Sequence, residues 1–542
     1  MERAVSARPR DVAAVLRERA ETHPDRTFLL HRDRRWSFAD VAAEGRALAC
    51  AFQRLGIEKG DRVATDLPNW PEFVVTAVAA AEVGATVVPL NPSQSPRELQ
   101  FVLRNTETTL VVSAEQWGGI DYLELFEPLL TDLPGLQYLV TVGEEDLWYD
   151  DRIFQFEDLV SSGRGGDLAP VEIAPEKDPL AILYTSGTSG KVKGVVLSHA
   201  NVLATAGATA AALRMTPDDV TLCSVPLFNI FGLSAALMTA LLSGSAVVLQ
   251  DRFEAAEALE LIERHGVTML HGVPTMFVLL TRDPALARRD LSSLRTGIIA
   301  GAPVDEELVV RLRKELIPDL EIAYGLTETS PTVAITAPEN PPAKRSQTVG
   351  RPLPGLEIRI SGEGVDSLPV ESVGEVQVKG FNVMQGYFRQ PEATGTAFTP
   401  DGFLRTGDLG MLDDEGYLHI VGRESDVIIR GGYNVHPREV EDHLRSHPAV
   451  MDAVVVGVPN EVLGELLCAC IVPVEGALIT EPEIREFCRS ALAQYKVPDL
   501  VRFMSEFPMT SSGKARRAEL ARIVRRATST PRAERGDESR AS

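Results

Sequence analysis

Residues 184–194 read YTSGTSGKVKG. Thr185, Ser186, Thr188 and Ser189 supply hydroxyl donors. Gly187 and Gly190 let a ligand approach the backbone closely, and Lys191 and Lys193 add positive charge. A hydrophobic strand at 180–184 runs into this loop and a helix-forming run follows it, so the expected chemistry is the cradling of phosphate by N–H groups and dipoles. The spacing is not that of the Walker-type loop, which needs four residues between its glycines and Ser or Thr after the lysine. Here two residues separate Gly187 from Gly190, and Val192 follows Lys191. The five cysteines, Cys50, Cys223, Cys468, Cys470 and Cys488, have neither zinc spacing nor a redox CxxC and read as buried packing thiols. Cys468 and Cys470 are two apart in an apolar run, so on a strand they share a face. His199 reads as structural, orienting the helix that follows it, and the other histidines show no ligand spacing.

These residues have to be held by an α/β framework. Helical spacing in DVAAVLRERAETH precedes the strand DRVATDL, and PEFVVTAVAAAEVGA is a helix running into the strand TVVPL. LVVSA, AILYTSG, SAVVLQ, TMLHGVP and TGIIAGAP repeat the passage from strand to loop, which predicts parallel strands where helices intervene. After about residue 350 the strands PLPGLEIRI, GEVQVKG, GMLDDEGYLHIVGR and DVIIRGGYNV are joined by Gly, Asp and Pro turns, as in a small antiparallel subdomain. From Pro437 the order helix, strand, strand, helix, strand predicts a compact α+β module. The expected division is a large N-terminal domain of several subdomains over 1–424, with mixed sheets flanked by helices, a smaller mobile α+β domain over 425–526, and a polar disordered tail over 527–542.

With 77 acidic against 54 basic side chains, the net charge is −23. That disfavours nucleic acid as a main partner, which leaves a basic footprint, but not an anionic small substrate that needs only a few local cations. The N-terminus lacks the apolar core of a secretory signal. The two longest apolar stretches, 73–90 and 233–249, are interrupted by Glu82 and Gly84 and by Ser243, Gly244 and Ser245. Each reads as a buried helix running into a strand and not as a membrane span, and a cytoplasmic protein is expected.

The YTSGTSGKVKG loop resembles that of the adenylate-forming superfamily: acyl-CoA synthetases, nonribosomal peptide synthetase adenylation domains and luciferases. The resemblance runs through nearly the whole chain, in GDRVATDLPNWPEF, GIIAGAPV, YGLTET, TVGRPLPG, GEVQVKG, RTGDLG, GRESDVIIRGGYNVHPREVE and PMTSSGKARR, in order. The pattern is nearest to a stand-alone acyl- or aryl-CoA ligase. It implies that ATP and Mg²⁺ convert a carboxylic acid to an acyl-adenylate with release of pyrophosphate, and that a thiol, that of coenzyme A, then takes the acyl group. Two anions must meet in the first step, so charge neutralisation and positioning matter more than a protein nucleophile. No Ser-His-Asp or Cys-His set is evident.

The resemblance assigns roles to particular residues. Glu328 in YGLTET would hold Mg²⁺, a hard cation that prefers oxygen ligands. Lys514 in SSGKARR would supply charge to the carboxylate and α-phosphate, with Thr188 of the loop sharing the chemical step. Asp408 would accept from the ribose hydroxyls, and Arg423 would add a ribose or phosphate contact. Gly301, Ala302 and Pro303 would pack on adenine with Tyr324 and Gly325, next to Thr327. After adenylation the C-terminal module is expected to rotate, exchanging the Lys514 loop for the RGGYN segment, where Gly431 and Gly432 suit a narrow thiol tunnel. GVPNEVLGE is similar to the segment beside the coenzyme A site, with Asn460 in place of the usual Asp. Ser425 stands at the pivot, where Asp or Lys is usual, and Asn229 stands in PLFNIFG, where His is usual.

The expected acyl pocket draws on Asn229, Gly232, Val273, Gly301 and Gly325. The segments around them are largely apolar or small, which favours a fatty, aryl or alicyclic acid over an amino acid. Three other functions fit the same framework: loading of a carrier protein in trans, a luciferase-type oxygenase, and a non-catalytic binding protein. The last is disfavoured by the intact set Glu328, Asp408, Arg423 and Lys514.

Overall fold

The structure is a computed structural model that describes residues 10–144, 150–186, 192–362, 366–430, 433–460, 463–510 and 514–529. Its contacts divide the chain into two units. The first comprises Met1–Ser372, Val376–Thr406 and Leu412–His419; the second comprises Val373–Glu375, Gly407–Met411 and Ile420–Ser542.

Two large sheets build the first unit. One has the order Gly386–Tyr387, Val192–Ser198, Pro179–Ser186, Thr86–Pro89, Arg62–Asp66, Leu110–Ala114, Tyr138–Val142, Ile153–Gln155. From Pro179–Ser186 onward the neighbours are parallel. Strands covered on both faces read as unbroken apolar runs, and Thr86–Pro89 and Leu110–Ala114 are buried at every position. The second sheet has the order Arg351–Pro352, Thr332–Ile335, Asp319–Gly325, Thr296–Ile299, Met269–Gly272, Val220–Cys223, Ala246–Leu249, Thr27–His31, Arg34–Ser37. Its parallel register sets the carboxyl ends of Met269–Gly272, Thr296–Ile299 and Asp319–Gly325 side by side, and that edge is where open α/β sheets bind ligands.

The two long apolar stretches fold as expected. Pro71–Val83 ends at Gly84, in the left-handed region at φ 72°, and enters Thr86–Pro89. Phe231–Met238 and Thr239–Ser243 end at Gly244, φ 73°, before Ala246–Leu249. Among the described residues no helix is long and apolar enough to cross a membrane. All five cysteines are buried.

Two local expectations need correction. No helix begins at the glycine- and hydroxyl-rich loop: Val192–Ser198 is a strand, antiparallel to Pro179–Ser186, with Ser186 opposite Val192. The run VKGVVLS is rich in β-branched residues, which suit a pleated surface. The helix His199–Ala212 starts only where Ser198 caps it, its hydroxyl accepting from the Asn201 N–H at 3.1 Å while Asn201 accepts from the Ser198 N–H at 3.0 Å. The second correction is a C-terminal helix, Arg517–Ser529, which takes in residues 527–529 that composition assigned to the tail. Its apolar stripe is narrow: Leu520 and Val524, four apart, are buried among charged neighbours. Residues 530–542 lie outside the described residues.

The second unit is built on a sheet in which Gly464–Pro473 pairs with Val450–Asn460, Ile428–Arg430 and Leu500–Phe503. Side chains alternate across it. Leu467, Ala469 and Ile471 pack with Val440, Leu444 and Ile484 on one face, and Cys468 and Cys470 pack with Leu520 and Val524 on the other. Cys468 and Cys470 therefore share a face as expected. The last helix is fixed by Arg517, whose guanidinium donates to both oxygens of the buried Glu441 at 2.6 and 2.8 Å and to the Val455 carbonyl at 2.8 Å.

One buried charge opposes the fold. Asp66 ends its strand at 2% exposure, and its Oδ1 has no hydrogen-bond partner among the described residues. Burial pushes its pKa up to about 7. A carboxyl raised in the folded state contributes stability below its unfolded pKa, and that contribution is lost as pH rises through about 7. Asp66→Asn is therefore expected to raise the Tm at pH 8 and to change it less at pH 4. Equal shifts at the two pH values, read by thermal melts, would count against this account.

Candidate functional site

The glycine- and hydroxyl-rich loop joins two antiparallel strands. Thr185 and Ser186 end the first, opposite Lys193 and Val192 on the second. Gly187, Thr188, Ser189, Gly190 and Lys191 lie outside the described residues. Lys193 places its ammonium 4.5 Å from the centre of the Tyr387 ring, a cation–π contact that fixes charge beside the hairpin.

Tyr387 is the functional candidate that sequence reasoning missed. It sits on the edge strand Gly386–Tyr387, paired opposite Val195, and its hydroxyl donates to Glu328 Oε1 at 3.0 Å. Burial, with the neighbouring carboxylate, holds the phenol above its ordinary pKa, so it stays a donor at neutral pH. Glu328 lies in the single turn Thr327–Thr329 that follows Asp319–Gly325. Its carbonyl accepts the Met384 N–H at 2.9 Å. The turn is closed by Thr329, whose hydroxyl accepts from the Leu326 N–H at 2.9 Å and donates to the Pro331 carbonyl at 2.9 Å. Tyr324 and Gly325 end the strand just before it.

The nominated acyl and adenine segments converge at the same sheet edge. Val273 follows Met269–Gly272, and Gly301, Ala302 and Pro303 follow Thr296–Ile299. Gly301 has φ 84°, and a Cβ there would come within 3.2 Å of Val273 Cγ1. Asn229 is half-buried; its N–H donates to the Pro226 carbonyl at 3.1 Å and its carbonyl accepts the Leu233 N–H at 3.0 Å. It leads into a π-helical segment, Phe231–Met238, a geometry enriched at functional sites. Ser234 of that segment donates to the Ser330 carbonyl at 2.8 Å, joining it to the Glu328 turn.

Asn69 is a second residue that the sequence did not single out. It is buried, donates to the carbonyls of Cys223 and Val225 at 3.1 Å each, and accepts the Leu227 N–H at 2.8 Å. One amide thus clamps the strand end from which Asn229 hangs. Gly232 and Gly325 are glycine because backbone passes close by. A Cβ would lie 2.2 Å from the Pro226 carbonyl oxygen at Gly232 and 1.6 Å from that of Pro331 at Gly325. His199 is structural: it is 1% exposed, burial pulls its pKa down to about 4, and its Nδ1 accepts the Val12 N–H at 3.3 Å. It therefore anchors the first helix, Val12–Thr22, and not only its own.

In the second unit Asp408 is buried and Arg423 Nε donates to its Oδ1 at 3.0 Å, so the two residues expected at the ribose are brought together. Ser425 lies in the turn Glu424–Asp426, and Asp426 pairs with Arg517 at 3.3 Å. Lys514 is exposed on a tight return: its carbonyl accepts the Thr510 N–H at 2.7 Å, and its N–H donates to the Thr510 hydroxyl at 3.0 Å. Asn460 accepts the Leu463 N–H at 2.9 Å, a turn role that Asp would also fill. Gly431 and Gly432 lie outside the described residues. Among the described residues no group of three or more His, Cys, Asp or Glu is placed to hold a metal ion. A single held carboxylate is the donor set that suits Mg²⁺, which keeps waters and takes substrate phosphate oxygens for its other ligands.

Comparison with known proteins identifies the family of this fold. The model of the AMP-binding enzyme family matches residues 16–388, and that of the AMP-binding enzyme C-terminal domain matches 439–514. A putative acyl-CoA synthetase of Bacillus subtilis is 33% identical over 94% of this chain and 96% of its own. A 3-[(3aS,4S,7aS)-7a-methyl-1,5-dioxo-octahydro-1H-inden-4-yl]propanoyl:CoA ligase of Mycobacterium tuberculosis is 35% identical over 95% and 99%. The solved o-succinylbenzoate coenzyme A synthetase of Bacillus subtilis, in complex with ATP and magnesium ion, superposes with a TM-score of 0.80 at 31% identity, covering 93% of this chain and 98% of that one. The chain belongs to the AMP-binding enzyme family. Within it, the chain is an AMP-forming acid–CoA ligase that uses ATP, Mg²⁺ and coenzyme A in two steps, acyl-adenylate formation and then thioester formation.

The glycine contacts lead to a stability contrast. Gly325→Ala forces backbone apart beside Glu328 and is expected to lower the Tm by a few degrees, as overpacking at about 1–3 kcal/mol does. Gly395→Ala, where a Cβ meets nothing within 4 Å, is expected to leave it unchanged or raise it slightly. Matching Tm values for the two variants would remove the steric explanation.

Proposed function

We propose that this ligase activates a fatty, aryl or alicyclic carboxylic acid in the cytoplasm and passes it to free coenzyme A. The carrying observation is the carboxylate of Glu328, held by Tyr387 at 3.0 Å on a strand-end edge that it shares with the small and apolar residues Val273, Gly301 and Gly325. In the first step a carboxylate oxygen of the acid attacks the α-phosphorus of ATP, and the bond to pyrophosphate breaks. In the second, the thiol sulfur attacks the acyl carbon, the bond to AMP breaks, and the thiol proton is released.

In this reading Glu328 holds Mg²⁺, which when bound offsets phosphate charge. Thr185, Ser186 and the loop through Lys191 cradle the phosphates of ATP, and Thr188 shares the chemical step with Lys514. Gly301, Ala302, Pro303, Tyr324 and Gly325 face adenine, with Thr327 beside them. Asp408 accepts from the ribose hydroxyls, and Arg423 both orients it and adds a donor. Lys514 neutralises the carboxylate and α-phosphate during adenylation. Residues 425–526 act as a mobile domain that turns about Ser425 relative to 1–424, and Gly431 and Gly432 line the thiol path in the second step.

The experiment is a carboxylic-acid panel assayed for pyrophosphate release with hydroxylamine trapping, repeated with coenzyme A or with a phosphopantetheinylated carrier and read by mass. Carrier loading without acyl-CoA, or activity confined to amino acids, would overturn the proposal. Lys514→Ala is expected to lose ~10²–10³ of the adenylation rate, as removal of one charge-stabilising donor does, while still converting a supplied acyl-adenylate to thioester. Equal losses in the two half-reactions would contradict the division of labour.

A further inference from the structure

The strand Met269–Gly272 carries a buried histidine for which the chemistry described so far has no use. Side chains alternate along a strand. Leu270 packs with Ile262, Phe277 and Leu312, whereas Met269 packs with Ala235 of the π-helical segment, Ile298 and Ala323. His271 shares the face of Met269, is 0% exposed, and has the Phe231 ring 6.3 Å away, tilted at 43°. Its Nδ1 accepts the Ile298 N–H at 3.1 Å. Burial pulls the pKa of the ring down to about 4, so it is neutral at pH 7. A neutral imidazole that accepts at Nδ1 carries its proton on Nε2. That N–H is fully buried and has no hydrogen-bond partner among the described residues.

An unpaired buried donor is expensive, and native structures keep few of them. This one stands where three of the acyl-pocket segments meet. Phe231 lies between Asn229 and Gly232, Val273 follows two residues on, and the Gly272 carbonyl takes the N–H of Ala300, the neighbour of Gly301. We propose that His271 Nε2–H is a specificity-determining donor to the acyl chain, and that the preferred acid carries a hydrogen-bond acceptor, a ketone or ether oxygen, within an otherwise apolar body. The inference rests on the reading that these segments line the acyl pocket. A pocket with such a donor favours the oxygenated acid over the plain hydrocarbon analogue, because only the oxygenated acid gives the buried N–H the partner it lacks.

The test measures kcat and KM for pyrophosphate release with ATP, Mg²⁺ and coenzyme A, using a straight-chain acid and oxo-acids of the same length with the ketone at successive positions. The wild-type enzyme is expected to favour one oxo position by at least about tenfold in kcat/KM. In His271→Phe, which keeps a ring and removes the donor, that preference is expected to fall towards one, chiefly through KM. In His271→Gln, which keeps an N–H, part of it is expected to return. Absence of any oxo preference in the wild type, or a preference unchanged in both variants, overturns the proposal. Val273→Phe separates the two ideas. If it shortens the range of accepted chain lengths while the histidine variants change nothing, the pocket stands and the role of His271 falls. If chain-length range is also unchanged, both fall.

Discussion

The hydrogen bond from the Tyr387 hydroxyl to Glu328 is the point at which the two sheets of the first unit are tied at the site. Tyr387 belongs to the edge strand beside the hairpin, and Glu328 follows a strand of the second sheet. A second bond, from the Met384 N–H to the Glu328 carbonyl, fixes the backbone of the same turn. The carboxylate is thereby held in place before any ligand arrives. A reaction that presses two anions together gains most from groups that need no reorganisation at the moment of bond formation. Lys193, held over the Tyr387 ring, adds a fixed cation to the same corner.

From that corner the constraint passes through backbone. Gly325 allows the Pro331 carbonyl to close the turn, Ser234 hands the Ser330 carbonyl to the π-helical segment, and Gly232 lets that segment fold against the Pro226 carbonyl. Asn69 holds the far end of the path by three hydrogen bonds. The walls assigned to the acyl group and the turn assigned to the metal are thus one connected piece. A side chain added at either glycine strains both, so the departure Asn229 sits on a support that does not depend on its own side chain.

The second unit follows a different principle. Its sheet is covered on both faces, and its last helix is secured by the bidentate Arg517–Glu441 pair, with Glu441 also accepting the Val455 N–H at 2.7 Å. Arg517 reaches Asp426, next to Ser425, at 3.3 Å. The turn that carries Ser425 and the helix that follows the Lys514 return are therefore joined by one guanidinium, a planar donor suited to bridging two carboxylates.

Much of the candidate site was legible in the sequence because the chemistry proposed for it is local. Phosphate-cradling loops need glycine and hydroxyls within a few residues, and apolar runs ending in glycine announce a helix passing into a strand. Glu328, Asp408, Arg423 and Lys514 were legible only through short motifs that resemble a known family. The run after Lys191 misled because the β-branched residues of VKGVVLS disfavour a helix without forbidding one; its pairing with Pro179–Ser186 decides that it is a strand. The last helix escaped because its fully buried apolar residues among those described, Leu520 and Val524, are few and stand among charged neighbours. Nothing in the sequence set apart Tyr387 or His271, and Asn69 stood only as one residue within GDRVATDLPNWPEF. Each acts through a partner far along the chain: Glu328, Ile298 and the 223–227 segment. Sequence alone determined the α/β alternation of most of the chain and which residue types are present for adenylation. Tertiary structure alone decided which carboxylate is braced, which amide clamps the loop and which imidazole nitrogen is left without a partner, because hydrogen bonds between distant segments exist only once packing has brought those segments together.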